Sequence, residues 1–119
     1  MKHNKIRIAI LGSTGSIGKQ ALEIIQKHDK LFEVVLLSAH SNWRLLDEQA
    51  KTFNPKYAVL TGLVSENTNI KIGDPAKTKT YVDPHALNEL VNLPEIDIVL
   101  NSLVAVSYTH LTLPTSSQV

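Results

Sequence analysis

The sequence contains no cysteine and no long apolar run, and each of these absences excludes a class of protein. Without cysteine the chain can form no disulfide, has no thiolate for catalysis and cannot bind zinc through sulfur. No segment approaches the roughly 18 consecutive apolar residues of a membrane span, and residues 1–5 lead into a predicted strand without the pattern of a signal peptide. We therefore expect a protein of the cytoplasm.

The charges are nearly balanced. Twelve basic and 11 acidic side chains give a formal net charge of +1, which offers no basis for a nucleic-acid or membrane surface. The histidines lack metal-ligand spacing, and the acidic residues form no pair at a predicted strand end. With 119 residues the chain is expected to form one small domain, and the sequence predicts neither a catalytic residue nor a metal ligand within it.

What the sequence does contain is a glycine-rich turn between a predicted strand at residues 6–11 and a predicted helix at residues 16–28. Gly12, Gly15 and Gly18 recur at every third position. Glycine permits a tight strand-to-helix turn, lets the backbone approach a pyrophosphate and lets the helix pack closely on the strand. Free N–H groups at the start of the helix can then bind the anion. A plain tight turn is the alternative for an isolated string of this kind, but the strand and helix around it favour a dinucleotide.

Four residues of the turn are therefore predicted to contact the pyrophosphate of a dinucleotide: Thr14, Gly15, Ser16 and Ile17. Their backbone N–H groups would donate to the phosphate oxygens, and the hydroxyls of Thr14 and Ser16 would add two further donors. Ser13 is a neighbouring candidate for the same contact.

The end of the second predicted strand decides between NAD and NADP. An acidic residue there hydrogen-bonds the ribose 2′-hydroxyl and repels a 2′-phosphate, whereas this chain has His40, Ser41 and Asn42, followed by Arg44. These donors suit a phosphate dianion, which favours NADPH and makes His40, Ser41 and Asn42 candidate contacts. Alternatively, Ser41 or Asn42 caps the next helix, and one can cap while the other faces the ligand. Trp43 is interpreted as a packing residue.

The apolar pattern predicts an α/β fold, a Rossmann-like doubly wound parallel sheet. Short apolar runs typical of buried strands alternate with amphipathic helical stripes, and the crossovers of such a unit should be right-handed. The predicted β-α-β-α-β elements span residues 6–11, 16–28, 32–39, 42–53 and 57–60.

The pattern weakens after the third strand. Loops around a short strand near Asn69–Ile72 are expected, followed by a helix with Asp83 as N-cap and Pro84 at its first position. A buried strand is predicted at Ile96–Leu100. Because the sheet is still being built at that point, we expect a truncated fold.

Residues 105–119 break the pattern, because they contain neither a glycine turn nor the start of a helix. They resemble the in-frame translation of a sequencing-library adapter. We therefore interpret residues 1–104 as an incomplete NADPH-binding domain and residues 105–119 as a non-native tail without function. A natural β-hairpin terminus is the alternative.

Together with the glycine string at Gly12–Gly18, three further segments make the chain similar to the 1-deoxy-D-xylulose 5-phosphate reductoisomerase family. They are the polar segment Ala39–Asn42, the F-x-P-x-x-A-V motif at Phe53–Val59, and Asp97–Val104, which resembles the family strand that leads toward the nicotinamide. The resemblance covers about residues 4–104. It implies that NADPH binds at the positions already singled out after the first and second strands.

By this resemblance, the complete enzyme rearranges the sugar phosphate 1-deoxy-D-xylulose 5-phosphate and reduces the resulting aldehyde with NADPH to 2-C-methyl-D-erythritol 4-phosphate, in non-mevalonate isoprenoid biosynthesis. It uses a divalent metal, Mg²⁺ or Mn²⁺, and is expected to be a homodimer. The family's substrate segment and metal-coordinating carboxylates follow the matched region, so this chain alone is expected to lack turnover. The alternatives are the NAD(P)-binding domain of another dehydrogenase and a non-catalytic nucleotide-binding module.

Overall fold

Parallel strands and helices alternate through residues 5–62 and 70–102, the parts of the chain that the computed structural model describes. The strands come from apolar runs and the helices from amphipathic ones, as expected for a sheet covered on both faces. In chain order the elements are β1 (Ile6–Leu11), α1 (Ser16–Lys27), β2 (Phe32–Ala39), α2 (Trp43–Phe53), β3 (Tyr57–Leu60), β4 (Lys79–Tyr81), α3 (Pro84–Leu90) and β5 (Ile98–Asn101).

The five strands form one parallel sheet in the order β4-β3-β2-β1-β5. From β1 the chain moves outward through β2, β3 and β4, and it then returns to place β5 on the other side of β1. Leu11 at the end of β1 is therefore paired with Ser38 of β2 on one side and with Asn101 of β5 on the other. In sheets of this kind, ligands bind outside the carboxyl ends of the strands, where the strand order reverses.

The core consists of two layers, one on each face of the sheet. Alternate side chains of β1 enter different layers, because successive residues of a strand point to opposite faces. Ile10 packs in the layer under α1 and α2 with Leu22 and Leu46. Ala9 packs in the layer under α3 with Leu87. Helices on both faces make the sheet doubly wound, and the predicted fold class is confirmed.

The first three strands have the bounds that the apolar pattern predicts. The first helix ends one residue earlier than predicted, at Lys27, with His28 as its C-cap. The second begins at Trp43, because Asn42 serves as its N-cap. Asp83 caps the third helix, as expected, by accepting a hydrogen bond from the His85 N–H at 2.9 Å.

The strand predicted near residues 69–72 is wrong for Ile70–Ile72, which lie in a loop; Asn69 lies outside the described residues. Ile72 is fully buried there, and its N–H donates to Thr80 Oγ1 at 2.8 Å. The next strand is β4, a three-residue edge strand with exposed Lys79. The apolar pattern therefore predicted correctly that Ile72 is buried, but Ile72 lies in a loop and not in a strand.

The last described strand also differs from its prediction. It spans Ile98–Asn101 instead of residues 96–100, because Ile96 is held in a turn by its N–H bond to the Leu93 carbonyl at 3.0 Å. Ile98 and Val99 are 45% and 41% exposed, so the expectation of a buried strand is wrong for these two side chains. The tail predicted at residues 105–119 lies outside the described residues.

None of the helices in the described ranges is both long and apolar enough to cross a membrane. The longest, α1, has 12 residues, whereas a span of the hydrocarbon core takes about 20. The helices are instead amphipathic and place one apolar face on the sheet.

The ion pair between Arg7 and Asp97 predicts a dependence of stability on pH. The Arg7 N–H and guanidinium both donate to the Asp97 carboxylate, at 2.9 and 3.3 Å, and these bonds lower the pKa of Asp97. A carboxyl group with a lowered folded-state pKa stabilises the fold above its unfolded-state pKa of about 3.9, and that contribution disappears as the pH falls through the folded value.

We expect Asp97→Asn to lose less stability than the unchanged chain when the pH is lowered below about 4. The effect should be small, because both side chains are about two-fifths exposed. Urea unfolding at a series of pH values measures it, with Asp29→Asn as the control for removing an exposed carboxylate. Identical acid profiles for Asp97→Asn and the unchanged chain would contradict the expectation.

Candidate functional site

The glycine loop, residues 12–15, connects the carboxyl end of β1 to α1. Gly12 adopts a φ of +79°, a left-handed conformation that glycine accepts without the clash of a Cβ atom. Its N–H donates to the carbonyl oxygen of Ser38 at 3.0 Å and to Ser38 Oγ at 3.1 Å. The turn is closed by the N–H of Gly15, which donates to the Gly12 carbonyl at 3.2 Å.

Gly18 and Gly15 differ in what a side chain would meet. A Cβ on Gly18 would lie 2.4 Å from the Gly12 carbonyl oxygen and 2.6 Å from the Cα of Ser13, so only glycine allows α1 to approach the loop this closely. A Cβ on Gly15 would meet the Gly12 oxygen at 3.6 Å, an ordinary contact, and the φ of Gly15 is −82°. Neither backbone conformation nor packing within the described chain therefore requires glycine at position 15.

The start of α1 lies open beside Gly15. Gly15 is the N-cap and has no side chain to accept a bond, and the first turn contains no acidic residue. The N–H of Lys19 is the first that reaches back to the Gly15 carbonyl, at 2.9 Å, so the N–H groups of the three preceding helical residues have no carbonyl partner in α1. Ser16 and Ile17 are exposed and Thr14 is half-buried. Such an end attracts an anion, since the helix dipole places partial positive charge there.

A buried hydrogen-bond network holds the loop from α2. Ser13 is fully buried; its Oγ donates to Gln49 Oε1 at 2.7 Å, and Gln49 Nε2 donates to the Ser13 carbonyl at 2.9 Å. The hydroxyl and the N–H of Ser13 are thus both bonded within the fold, and its candidate role in contacting a ligand stays a prediction. The sequence analysis assigns no role to Gln49. A signal was present, because Gln49 lies among Leu46 and Ala50 on the apolar stripe of α2, where a polar side chain needs a buried partner.

A third support comes from the residue after β5. Ser102 is buried, and its Oγ lies 2.6 Å from the carbonyl oxygen of Leu11 and 2.9 Å from that of Gly12. The hydroxyl donates into this pair of oxygens and ties the end of β1 to the strand beside it. Together with Ser38 and Gln49, Ser102 holds the loop by hydrogen bonds from three separate parts of the chain.

The residues predicted at the end of the second strand lie at the same edge of the sheet, because β1 and β2 are paired through Leu11 and Ser38. His40, Ser41 and Asn42 are all exposed. Asn42 Oδ1 accepts a hydrogen bond from the Leu45 N–H at 3.3 Å, so Asn42 is the residue that caps α2. The two segments singled out in the sequence thus meet at one edge, with no carboxylate at the end of β2.

The ring of His40 lies over the end of β3. A Cβ on Gly62 would come within 2.5 Å of His40 Nε2, so the imidazole occupies the space beside this glycine. The backbone is fixed as well, since the Gly62 N–H donates to the His40 carbonyl at 2.6 Å. His40 therefore projects from a fixed position on the sheet edge.

A groove between α1 and α2 is not lined by the glycine loop, and no group of metal-binding side chains is found in the described part of the chain. Its histidine, aspartate and glutamate side chains form no group of three that could hold a metal ion. A groove of about 300 Å³ lies between α1 and α2 and is lined by residues such as Lys19, Glu23 and Glu48, but not by the glycine loop. This groove is therefore separate from the glycine loop.

A family model described as 1-deoxy-D-xylulose 5-phosphate reductoisomerase matches residues 8–116. A protein of that name from Clostridium kluyveri is 43% identical over an alignment of 103 residues, and the alignment covers 82% of this chain and 26% of the relative. Another, from Phocaeicola vulgatus, is 42% identical over an alignment of 103 residues that covers 84% of this chain and 26% of the relative. The chain spans about a quarter of the length of these relatives.

A solved structure, a DOX-P reductoisomerase in complex with magnesium, has a similar fold. The TM-score is 0.63 at 23% sequence identity, over 81% of this chain and 24% of that one. At this identity the likeness concerns the fold alone. It agrees with the doubly wound parallel sheet described above.

Proposed function

Because the chain belongs to the 1-deoxy-D-xylulose 5-phosphate reductoisomerase family, we propose that it is the part of such an enzyme that binds NADPH. The observation that carries the proposal is the open backbone at Gly15 beside the uncapped start of α1. A dinucleotide pyrophosphate is an anion that needs close approach to backbone N–H groups, and this is the opening that Gly15 leaves.

In the proposed complex, the pyrophosphate contacts Thr14, Gly15, Ser16 and Ile17. The backbone N–H groups at the start of α1 donate to its oxygens, and the two hydroxyls add donors that can rotate toward the ligand. The side chain of Ile17, which is 41% exposed, takes no part in these polar contacts. The rigid hydrogen bonding of the loop keeps the donors in place before the ligand arrives.

The adenosine ribose and its 2′-phosphate would contact His40, Ser41 and Asn42. The absence of a carboxylate at the end of β2 removes the repulsion that excludes NADP from many dehydrogenases. Asn42 can serve both the fold and the ligand, because its Oδ1 caps α2 while its Nδ2 keeps two hydrogens to donate. These three residues remain proposed contacts.

For the whole protein we propose conversion of 1-deoxy-D-xylulose 5-phosphate to 2-C-methyl-D-erythritol 4-phosphate. NADPH supplies the hydride, and this chain's residues bind and orient it. A sugar-phosphate substrate, a divalent metal (Mg²⁺ or Mn²⁺) and a second copy of the enzyme belong to the same proposal. A cytoplasmic location is supported by the lack of cysteine.

Calorimetric titration of the purified chain with NADPH, NADH and ATP tests the cofactor. We expect NADPH to bind at least about tenfold more tightly than NADH, because one charge-assisted contact to the 2′-phosphate is worth about 1.4 kcal/mol or more. Equal affinities for the two cofactors would contradict the choice of NADPH. Binding of ATP alone would favour a nucleotide-binding module without hydride chemistry.

The same preparation distinguishes cofactor binding from turnover. We expect no oxidation of NADPH with 1-deoxy-D-xylulose 5-phosphate and Mg²⁺ or Mn²⁺, since no group of metal-binding side chains exists in residues 5–62 and 70–102. Absorbance at the nicotinamide band follows the reaction. Steady oxidation by pure material would show that this chain holds more of the active site than we propose.

A further inference from the structure

Trp43 and Arg44 form an exposed pair at the start of α2, directly after Asn42. The guanidinium carbon of Arg44 lies 5.3 Å from the centroid of the Trp43 ring, a cation–π distance. Trp43 is 37% exposed, and Arg44 is exposed as well. More than half of the Trp43 surface is therefore covered and the rest is exposed, so the interpretation of Trp43 as a packing residue stays a prediction, and Arg44 lies against its ring.

The charge of Arg44 is not neutralised within the described chain. The ion pairs found there are formed by Arg7, Lys51 and Lys56, and none involves Arg44. The first turn of α2 carries no acidic residue. An arginine that packs on an aromatic ring keeps its planar edge of N–H donors turned outward, available for a phosphate.

The position of the pair relates it to the cofactor. β2 ends beside β1, so the start of α2 lies at the same sheet edge as the glycine loop. The adenosine end of a dinucleotide lies next to the strand that follows the glycine loop and its helix, where 2′-phosphate and 2′-hydroxyl are distinguished. Arg44 follows Asn42 by two residues, so it lies near the place where the 2′-phosphate of a dinucleotide would be distinguished.

We propose that Arg44 selects NADPH by contacting its 2′-phosphate and that Trp43 positions Arg44. This inference rests on the proposed function. The dianion gains a charge-assisted contact that the hydroxyl of NADH cannot make. The indole restricts the guanidinium before binding, so less side-chain freedom is lost when the phosphate arrives. Arg44 acts on the ligand directly, and Trp43 acts through Arg44.

The test compares NADPH and NADH affinities by calorimetry in four variants. We expect Arg44→Ala to weaken NADPH binding about tenfold, the lower end for a charge-assisted contact, with NADH unchanged. Arg44→Lys should lose part of that affinity, because an ammonium lacks the planar donor edge. Trp43→Ala should lose about threefold for NADPH alone, and Trp43→Phe should restore most of it, because phenylalanine also offers an aromatic face.

Lys30→Ala is the matched control, since it removes one positive charge from the exposed turn before β2, at the opposite edge of the sheet. It should leave the ratio of NADPH to NADH affinity unchanged. The Arg44 effect should also shrink at high salt, because exposed charges are screened. Helix content by circular dichroism confirms that each variant is folded.

Trp43 is the only tryptophan of the chain, so its fluorescence reports on this pair without any turnover. We expect adenosine 2′,5′-bisphosphate to change the emission of the unchanged chain, 5′-AMP to change it less, and Arg44→Ala to abolish the difference. Equal losses of NADPH and NADH binding in Arg44→Ala, or no loss, would overturn the inference. Failure of the unchanged chain to bind either cofactor would instead contradict the proposed function.

Discussion

Gly15→Ala should weaken NADPH binding about a hundredfold while changing the free energy of unfolding by less than about 1 kcal/mol. The added Cβ would stand on the open surface where the pyrophosphate is proposed to meet the backbone. Holding the ligand away by the radius of one methyl group would break about two charge-assisted hydrogen bonds, each worth about 1.5 kcal/mol or more.

The fold should tolerate the same methyl group. Its nearest neighbour would be the Gly12 carbonyl oxygen at 3.6 Å, and the φ of −82° suits alanine. Alanine is a poorer N-cap than glycine, but it also restricts the unfolded chain, and these two effects oppose each other. Calorimetry and urea unfolding of the same sample measure both quantities. A variant that binds NADPH normally would refute the proposed site, whereas one that loses both binding and stability would show that Gly15 is structural.

The sequence predicts the glycine loop well but not the different reasons for its glycines. Gly12, Gly15 and Gly18 look equivalent at a spacing of three. In the structure the first is required by a positive φ, the third by a close approach of backbone atoms, and the second by neither. The spacing of the glycines predicts a turn. Which of them the fold requires depends on the backbone conformation of the loop and on how closely α1 packs against it.

The elements that the sequence predicts accurately are those with the strongest apolar pattern. β2 is buried over six successive residues, and such a run leaves few alternatives to a central strand. The short edge strand β4 carries exposed Lys79 and is held by its pairing with β3, a long-range contact that no local pattern records. The strand predicted around Ile72 was wrong because a loop residue can be as buried as a strand residue.

The hydrogen bonds that support the site were harder to predict than the residues proposed to contact the ligand. Ser41 and Asn42 are neighbours in sequence and follow a recognisable strand. The Ser13–Gln49 and Ser102–Gly12 hydrogen bonds join residues 36 and 90 positions apart, so they depend on the completed fold. A polar residue on an apolar stripe indicates that a buried partner exists, as for Gln49, but it does not identify the partner.

Gly18→Ala should destabilise the fold by about 2 kcal/mol, the reverse of what helix propensity predicts. In an open helix the exchange would stabilise by up to about 1 kcal/mol, because alanine is the better helix former. Here the Cβ would fall 2.4 Å from the Gly12 oxygen and 2.6 and 2.8 Å from backbone atoms of Ser13. Overpacking of this kind costs about 1–3 kcal/mol, and more when the neighbours cannot move.

The neighbours of Gly18 are backbone atoms held by Ser38, Gln49 and Ser102, so the loop cannot yield without breaking buried hydrogen bonds. We expect the midpoint of thermal unfolding to fall by about 10 °C and NADPH binding to weaken as well, since relief of the clash would move the loop itself. Lys19→Ala, at the adjacent exposed position of α1, is the control and should change stability little. If Gly18→Ala were more stable than the unchanged chain, the close contact between α1 and the glycine loop would be disproved, and with it the rigid loop on which the proposed binding of NADPH depends.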